Sequence, residues 1–145
     1  LLIDFLGMLA KKSRYRILCN NLPESLPQGS SHEKIDRITG YIAANHARDL
    51  RLSDVSRFSG MSESAFSRFF TRSTGSNFNR YLNRIRIAHA CELLGKGSLP
   101  VSEICHEVGF HNIANFNRHF RELKSMTPRE YRKQTRRRYS TSTRD

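Results

Sequence analysis

The chain contains one pattern twice. Residues 52–70 and 101–120 can be laid over each other: Ser53 with Ser102 and Gly60 with Gly109 match at an offset of 49, while Phe66 with Phe116, Arg68 with Arg118, Phe70 with Phe120 and Tyr81 with Tyr131 match at an offset of 50. One residue has therefore been inserted between Gly109 and Phe116, in the turn or at the start of the helix that follows. Self-similarity on this scale marks a repeated supersecondary unit. Each copy reads as a short helix, a glycine able to end it in left-handed geometry, and a second helix carrying phenylalanines on one side. That is the punctuation of a DNA-reading helix-turn-helix. Two reading heads on one chain imply one long, asymmetric DNA site rather than a palindrome.

The charge balance travels with the repeats. The chain has 25 Lys and Arg against 13 Asp and Glu, a formal net charge of +12. Its first thirty residues hold only four basic and two acidic side chains, so +10 belongs to the remainder. Such an excess implies affinity for a polyanion, either nucleic acid or an anionic membrane surface. No apolar run approaches the ~20 residues of a membrane span, and no membrane partner is expected. With 145 residues, 37% of them hydrophobic, the chain can bury one core or two very small ones. Cys19, Cys91 and Cys105 form no CxxC pair, and the six histidines are scattered singly, so no metal or other cofactor is expected. Cys91 and Cys105 fall on apolar helical faces and read as small core hydrophobes, and the odd count suits a reducing cytosol. No Ser/His/Asp set or phosphate-cradling glycine loop is present, so no enzymatic activity is expected of the chain.

The chain opens on Leu1 and is expected to be a piece of something longer. Residues 1–19 begin with an all-round apolar stretch, Leu1 to Ala10, and are expected to be the last helix of an upstream effector or dimerisation domain. Residues 20–31 hold Pro23, Pro27 and Gly29 and read as a linker. A first helix-turn-helix subdomain should occupy 32–76, opening on a helix capped by Ser31 with Ile35, Ile38 and Ile42 recurring along it. A linker helix, 77–95, places Phe78, Tyr81, Leu82, Ile85, Ala88 and Cys91 on one stripe. The second subdomain should occupy 96–132, its reading helix capped by His111 or Asn112, and 133–145 reads as a basic, disordered tail. No segment has strand character. The expected fold is all-α, two tandem helix-turn-helix subdomains joined by a long linker helix, about seven helices in all.

Gly109-Phe110, Phe116-Asn117-Arg118-His119-Phe120-Arg121 and Thr127-Pro128-Arg129-Glu130-Tyr131-Arg132 resemble the signature that closes the AraC/XylS family of bacterial transcription regulators. Met61-Ser62, Phe66-Ser67-Arg68, Phe70, Gly75 with Phe78, Tyr81-Leu82, and Arg86 with Ala90 resemble the family's first half. The resemblance covers roughly residues 32–132. It implies a sequence-specific, double-stranded promoter DNA partner, contact with RNA polymerase, most often as an activator, and an unidentified small-molecule effector acting through an upstream domain. It also implies a cytoplasmic protein whose full length can be a homodimer. There are departures: the family usually has glycine at Ser125, serine-aspartate at His111-Asn112, and serine followed by an aromatic at Ala114-Asn115. The first bears on stability and the others on which bases are read.

On a helical wheel, Phe66, Phe69 and Phe70 face inward, leaving Ser64, Ser67, Arg68 and Thr71 outside. In the second reading helix Phe116 and Phe120 face inward and Ala114, Asn117, Arg118 and Arg121 outward, with Ile113 at the margin. Candidate base contacts are thus Ser64, Ser67, Arg68, Ile113, Ala114, Asn117 and Arg118: the arginines for guanine, Asn117 for adenine, Ala114 or Ile113 for a thymine methyl. The alternative for each arginine is a phosphate contact or a surface ion pair. Candidate phosphate contacts are Ser62, Thr71, Arg72, Arg121, Arg132, Arg136, Arg137 and Arg138. The linker helix from Phe78 to Leu94, about 25 Å long at 1.5 Å per residue, has the size to hold two heads about one DNA turn apart. Two rival readings are a non-specific RNA or polyanion module, and the targeting part of a larger DNA-repair or recombination enzyme.

Overall fold

The computed structural model describes residues 30–142, with side chains through residue 138. The expectations for residues 1–19 and most of 20–31 lie outside the described residues. Seven helices follow in order: α1 (Ser31–Asn45), α2 (Leu52–Ser59), α3 (Glu63–Thr74), α4 (Phe78–Lys96), α5 (Val101–Glu107), α6 (Ile113–Lys124) and α7 (Pro128–Ser142). No strand occurs among the described residues, and no described helix is long and apolar enough to cross a membrane.

Each boundary has a local cause. Ser30, rather than Ser31, caps α1 by accepting the Glu33 N–H on its side chain. Ser62, Asn77 and Asn112 do the same for α3, α4 and α6, satisfying donors that a helix start leaves unpaired. Gly60, Gly75 and Gly97 end α2, α3 and α4 in left-handed geometry. At α7, Thr127 and Glu130 cap each other: the carboxylate accepts from the Thr127 N–H at 2.7 Å, and the Glu130 N–H donates to the Thr127 hydroxyl at 3.3 Å.

Two hydrophobic cores are strung along α4. One gathers Ile38, Ile42, Val55, Phe66, Phe70, Phe78, Leu82 and Ile85; the other gathers Ile87, Ala90, Leu94, Ile104, Cys105, Val108, Phe116 and Phe120. The buried residues of α4 thus change sides between Ile85 and Ile87: at 100° per residue, Phe78, Leu82 and Ile85 lie roughly opposite Ile87, Ala90 and Leu94. This corrects the single stripe read from the sequence, since Ala88 and Cys91 are only half-buried. Alternate burial places one subdomain on each side of the helix. The four central phenylalanines, Phe66, Phe70, Phe116 and Phe120, are fully buried, each contributing roughly 2–3 kcal/mol. The repeat extends to ring geometry: Phe70 meets Tyr81 edge-on at 5.2 Å between centroids, and Phe120 meets Tyr131 likewise at 5.7 Å.

The chain does not leave the fold at Arg132. Residues 133–142 continue α7, where the sequence reading expected a disordered tail; 143–145 lie outside the described residues. The reason is tertiary. Arg132 donates from Nη2 to the Leu99 carbonyl and Arg136 from Nη2 to the Gly97 carbonyl at 2.6 Å, tying α7 to the turn that leaves α4.

Candidate nucleic-acid interface

The two turns show where the inserted residue went. In the first head the Gly60 N–H donates to Arg57 and the Met61 N–H to Ser56; in the second, Gly109 donates to His106 and Phe110 to Cys105, each pair shifted by 49. The helix cap then comes at Ser62, directly after Met61, but at Asn112, one residue beyond the matching place after Phe110. The extra residue is His111. It lengthens the turn and brings its ring to 4.0 Å from the Asp49 carboxylate of the first subdomain.

With their phenylalanines sunk into separate cores, α3 and α6 each turn a face to solvent. On α3, Ser64, Arg68, Thr71 and Arg72 are exposed and Ser67 is half-buried. On α6, Ala114, Arg118 and Arg121 are exposed and Asn117 is half-buried. Ile113, 42% exposed, is the one large apolar side chain among the described residues that is exposed. Ala114, Asn117, Arg118, Arg121 and Glu122 line an open depression of about 330 Å³. The expected base-contact residues of each head therefore share that head's exposed face. The heads differ chemically: Arg72 on α3 stands where α6 has Glu122, and Ser67 where α6 has Asn117.

Arg118 is not a bare cation. Its Nη2 donates to Asn115 Oδ1 at 2.8 Å, and its Nη1 lies 3.7 Å from the Glu122 carboxylate. Glu122 also reaches His119 Nδ1 at 3.2 Å, while the other ring nitrogen of His119 lies 3.3 Å from Asn83 Nδ2 on α4. α6 is thereby moored to α4. Sequence reasoning gave no role to Glu122 and treated Asn115 only as a departure from the family pattern, although spacings of four and three residues from Arg118 place all three on one helical face.

The expected phosphate contacts divide. Thr71 and Arg72 are exposed on α3, Arg121 on α6, and Arg137 and Arg138 on α7. Ser62 uses its hydroxyl as the α3 cap, accepting the Ala65 N–H at 3.3 Å. Arg132 is half-buried, and both it and Arg136 engage carbonyls of the α4–α5 turn, so they hold the fold before they hold anything else. No group of His, Cys, Asp and Glu among the described residues could hold a metal ion.

A helix-turn-helix domain family model matches residues 55–134, more than half of the chain. The structure of an AraC-type transcriptional regulator from Chromobacterium violaceum superposes with a TM-score of 0.68 at 27% identity, over 72% of this chain and 94% of that one. The chain belongs to the AraC-type helix-turn-helix family. An uncharacterised HTH-type transcriptional regulator of Staphylococcus aureus strain COL is 36% identical over 100 residues, 69% of this chain. The chain spans 13% of the length of that relative. The fold is also that of the DNA-binding domain of AdpA, solved in complex with a target DNA (TM-score 0.69, 24% identity, 72% of this chain and 95% of that one). The chain is thus an AraC-type DNA-binding domain of the transcription-regulator class, a family of regulators and not of enzymes. Ser125 stands where the sequence resemblance implies a glycine. Ser125 nonetheless takes the left-handed conformation, φ 57° and ψ 20°, and is the one positive-φ residue other than glycine among those described.

Proposed function

We propose that the chain binds double-stranded promoter DNA sequence-specifically by placing α3 and α6 in successive major grooves of one asymmetric site. The observation that carries this reading is the pair of matched exposed faces, each backed by its own phenylalanine core and each centred on an arginine, Arg68 or Arg118. Arginine offers the two-pronged donor geometry that guanine accepts in the major groove, and short neighbours such as Ser64 and Ala114 allow close approach. Ser67, Asn117 and Ile113 complete the base-reading set. Thr71, Arg72, Arg121, Arg137 and Arg138 hold phosphates, with Ser62 at the start of α3. The AdpA domain, which shares this fold, was solved on its target DNA.

In the longer protein the module serves a ligand-responsive activator in the bacterial cytoplasm. It touches RNA polymerase beside the promoter, as the family resemblance implies, and takes its effector signal, and in a homodimer its second copy, from an upstream region. Selection from a pool of random duplexes tests the DNA reading. The expected result is a two-block, non-palindromic motif whose blocks lie about 10 base pairs apart. Uniform recovery without a motif would favour a non-specific polyanion module, and a single short block would leave one head without a reading role.

A further inference from the structure

Where α4 passes from one core to the other, it carries an arginine. Arg86 stands between Ile85, the last α4 residue of the first core, and Ile87, the first of the second. Its Nε donates to the His46 carbonyl at 2.8 Å and its Nη2 to the Arg48 carbonyl at 3.0 Å, both just beyond the end of α1 in the first subdomain. The same guanidinium lies over the Phe110 ring of the second head's turn, 5.6 Å from its centroid. One side chain therefore touches both subdomains.

The glycine beside Phe110 points the same way independently. A Cβ placed on Gly109 would come within 2.7 Å of the His46 carbonyl oxygen, 2.9 Å of the Ala47 carbonyl oxygen and 2.9 Å of Arg86 Nε. Gly60, its counterpart in the first head, would meet nothing within 4 Å. Both glycines need a positive φ, but only the second is pressed against another subdomain. We propose that Arg86 is a positioning residue that locks the second reading head against the end of α1, fixing the angle between α3 and α6 before DNA arrives. Guanidinium geometry suits this role, because it spans two carbonyls and stacks on a ring at once, which a lysine ammonium cannot do. A preset angle means that binding one head delivers the other to its groove without further ordering, raising its effective concentration. The DNA consequence rests on the two-groove reading above; the lock itself does not.

Residual dipolar couplings of the DNA-free chain test the lock. In the native protein, couplings from 31–82 and from 90–131 should fit one alignment tensor. In Arg86→Ala each half should keep its own fold, by its amide shifts, but require a separate tensor. Arg86→Lys, which keeps the charge, should also need two. If Arg86→Ala lowers the fold of either half, Phe110→Leu, which keeps a buried apolar side chain in the second core but removes the ring under Arg86, should loosen the tensors in the same direction while the amide shifts of each half report its fold. A single, unchanged tensor in both Arg86 variants overturns the proposal. DNA supplies the second arm, using the duplex recovered by selection and a version with one base pair inserted between the blocks. The insertion rotates one block by about 35°. Arg86→Ala should weaken the native-spacing duplex about tenfold and lose most of the native protein's discrimination against the insertion. Should the native protein bind both duplexes equally while its couplings fit one tensor, the lock stands and the two-groove reading falls. If the tensors separate but discrimination is unchanged, Arg86 does not position the heads for reading, and the proposal fails.

Discussion

Ser125 and His46 each hold a conformation or charge state that their surroundings impose. At φ 57° the Cβ of Ser125 crowds the following carbonyl, at a cost of about 1–2 kcal/mol relative to glycine. Ser125→Gly should raise the melting temperature by several degrees, given roughly 3–5 °C per kcal/mol for a domain between the small and mid-sized ranges. Gly75→Ser, at φ 72° with open space around it, should lower it by a similar amount. A lower melting temperature for Ser125→Gly would mean that the serine side chain contributes more than its backbone costs. His46 is a different case. Its Nδ1 lies 2.7 Å from the Ala43 carbonyl, so it carries the proton and donates, leaving Nε2 to accept from His89 Nδ1 at 2.9 Å. Burial pushes its pKa below the ordinary histidine value; the Ala43 carbonyl opposes this, the charges of His89 and Arg86 add to it, and Glu92 opposes it weakly. A folded pKa below the unfolded one means that the unfolded chain binds the extra proton. The native state is therefore favoured above about pH 6.5 and loses that advantage as pH falls towards the depressed value. Urea denaturation at pH 7.5 and pH 5.5 should show this loss, and His46→Gln should reduce it. An equal loss in the variant would assign the effect to other groups.

At the scale of elements, α4 and α7 are where local sequence and final structure part. Caps and glycines such as Asn77, Gly60 and Gly75 act within a turn of themselves, so the ends of α2 and α3 and the start of α4 could be read nearly residue by residue, whereas α4 runs through Gly95 to Lys96, past the expected break. The burial of α4 could not, because Ala88 and Cys91 continue the first face in composition while the second core claims Ile87 and Ala90 from the other side. Nor could the length of α7. Its run from Arg132 to Arg138 has no apolar period, and what holds it is the α4–α5 turn, some 33–39 residues earlier in the chain. That turn also divides the basic residues between two roles. Arg136→Ala should chiefly lower the melting temperature, because it releases the Gly97 carbonyl. Arg137→Ala with Arg138→Ala should weaken specific and random duplexes alike and flatten log affinity against log salt by ~0.9 for each phosphate no longer neutralised. Titration over a salt series separates the two; weakening confined to specific DNA would place Arg137 or Arg138 at a base edge instead.

For the whole molecule, the duplication made the architecture legible: two glycine-punctuated units and a connecting helix leave few other all-α arrangements. Which faces of α3 and α6 stay exposed was legible too, because the phenylalanines that must be buried fix which side remains. What the pattern did not reveal is how the units meet. Gly109 looks like any turn glycine until the His46 and Ala47 carbonyls stand against it, and His111 looks like a spare residue until it faces Asp49. These contacts join residues more than sixty apart, beyond the reach of any local periodicity. If each head reads its own block of one site, a base-by-base permutation of the selected duplex will separate the two blocks. Binding of the native chain, Arg68→Ala and Arg118→Ala would be measured on every single-pair variant. Each arginine variant should lose about 1–3 kcal/mol of discrimination at one or two pairs, in blocks about 10 base pairs apart, with the other block read as before. Loss of preference in the same block for both variants, or uniform weakening with no change in preference, would mean that α3 and α6 do not read separate blocks.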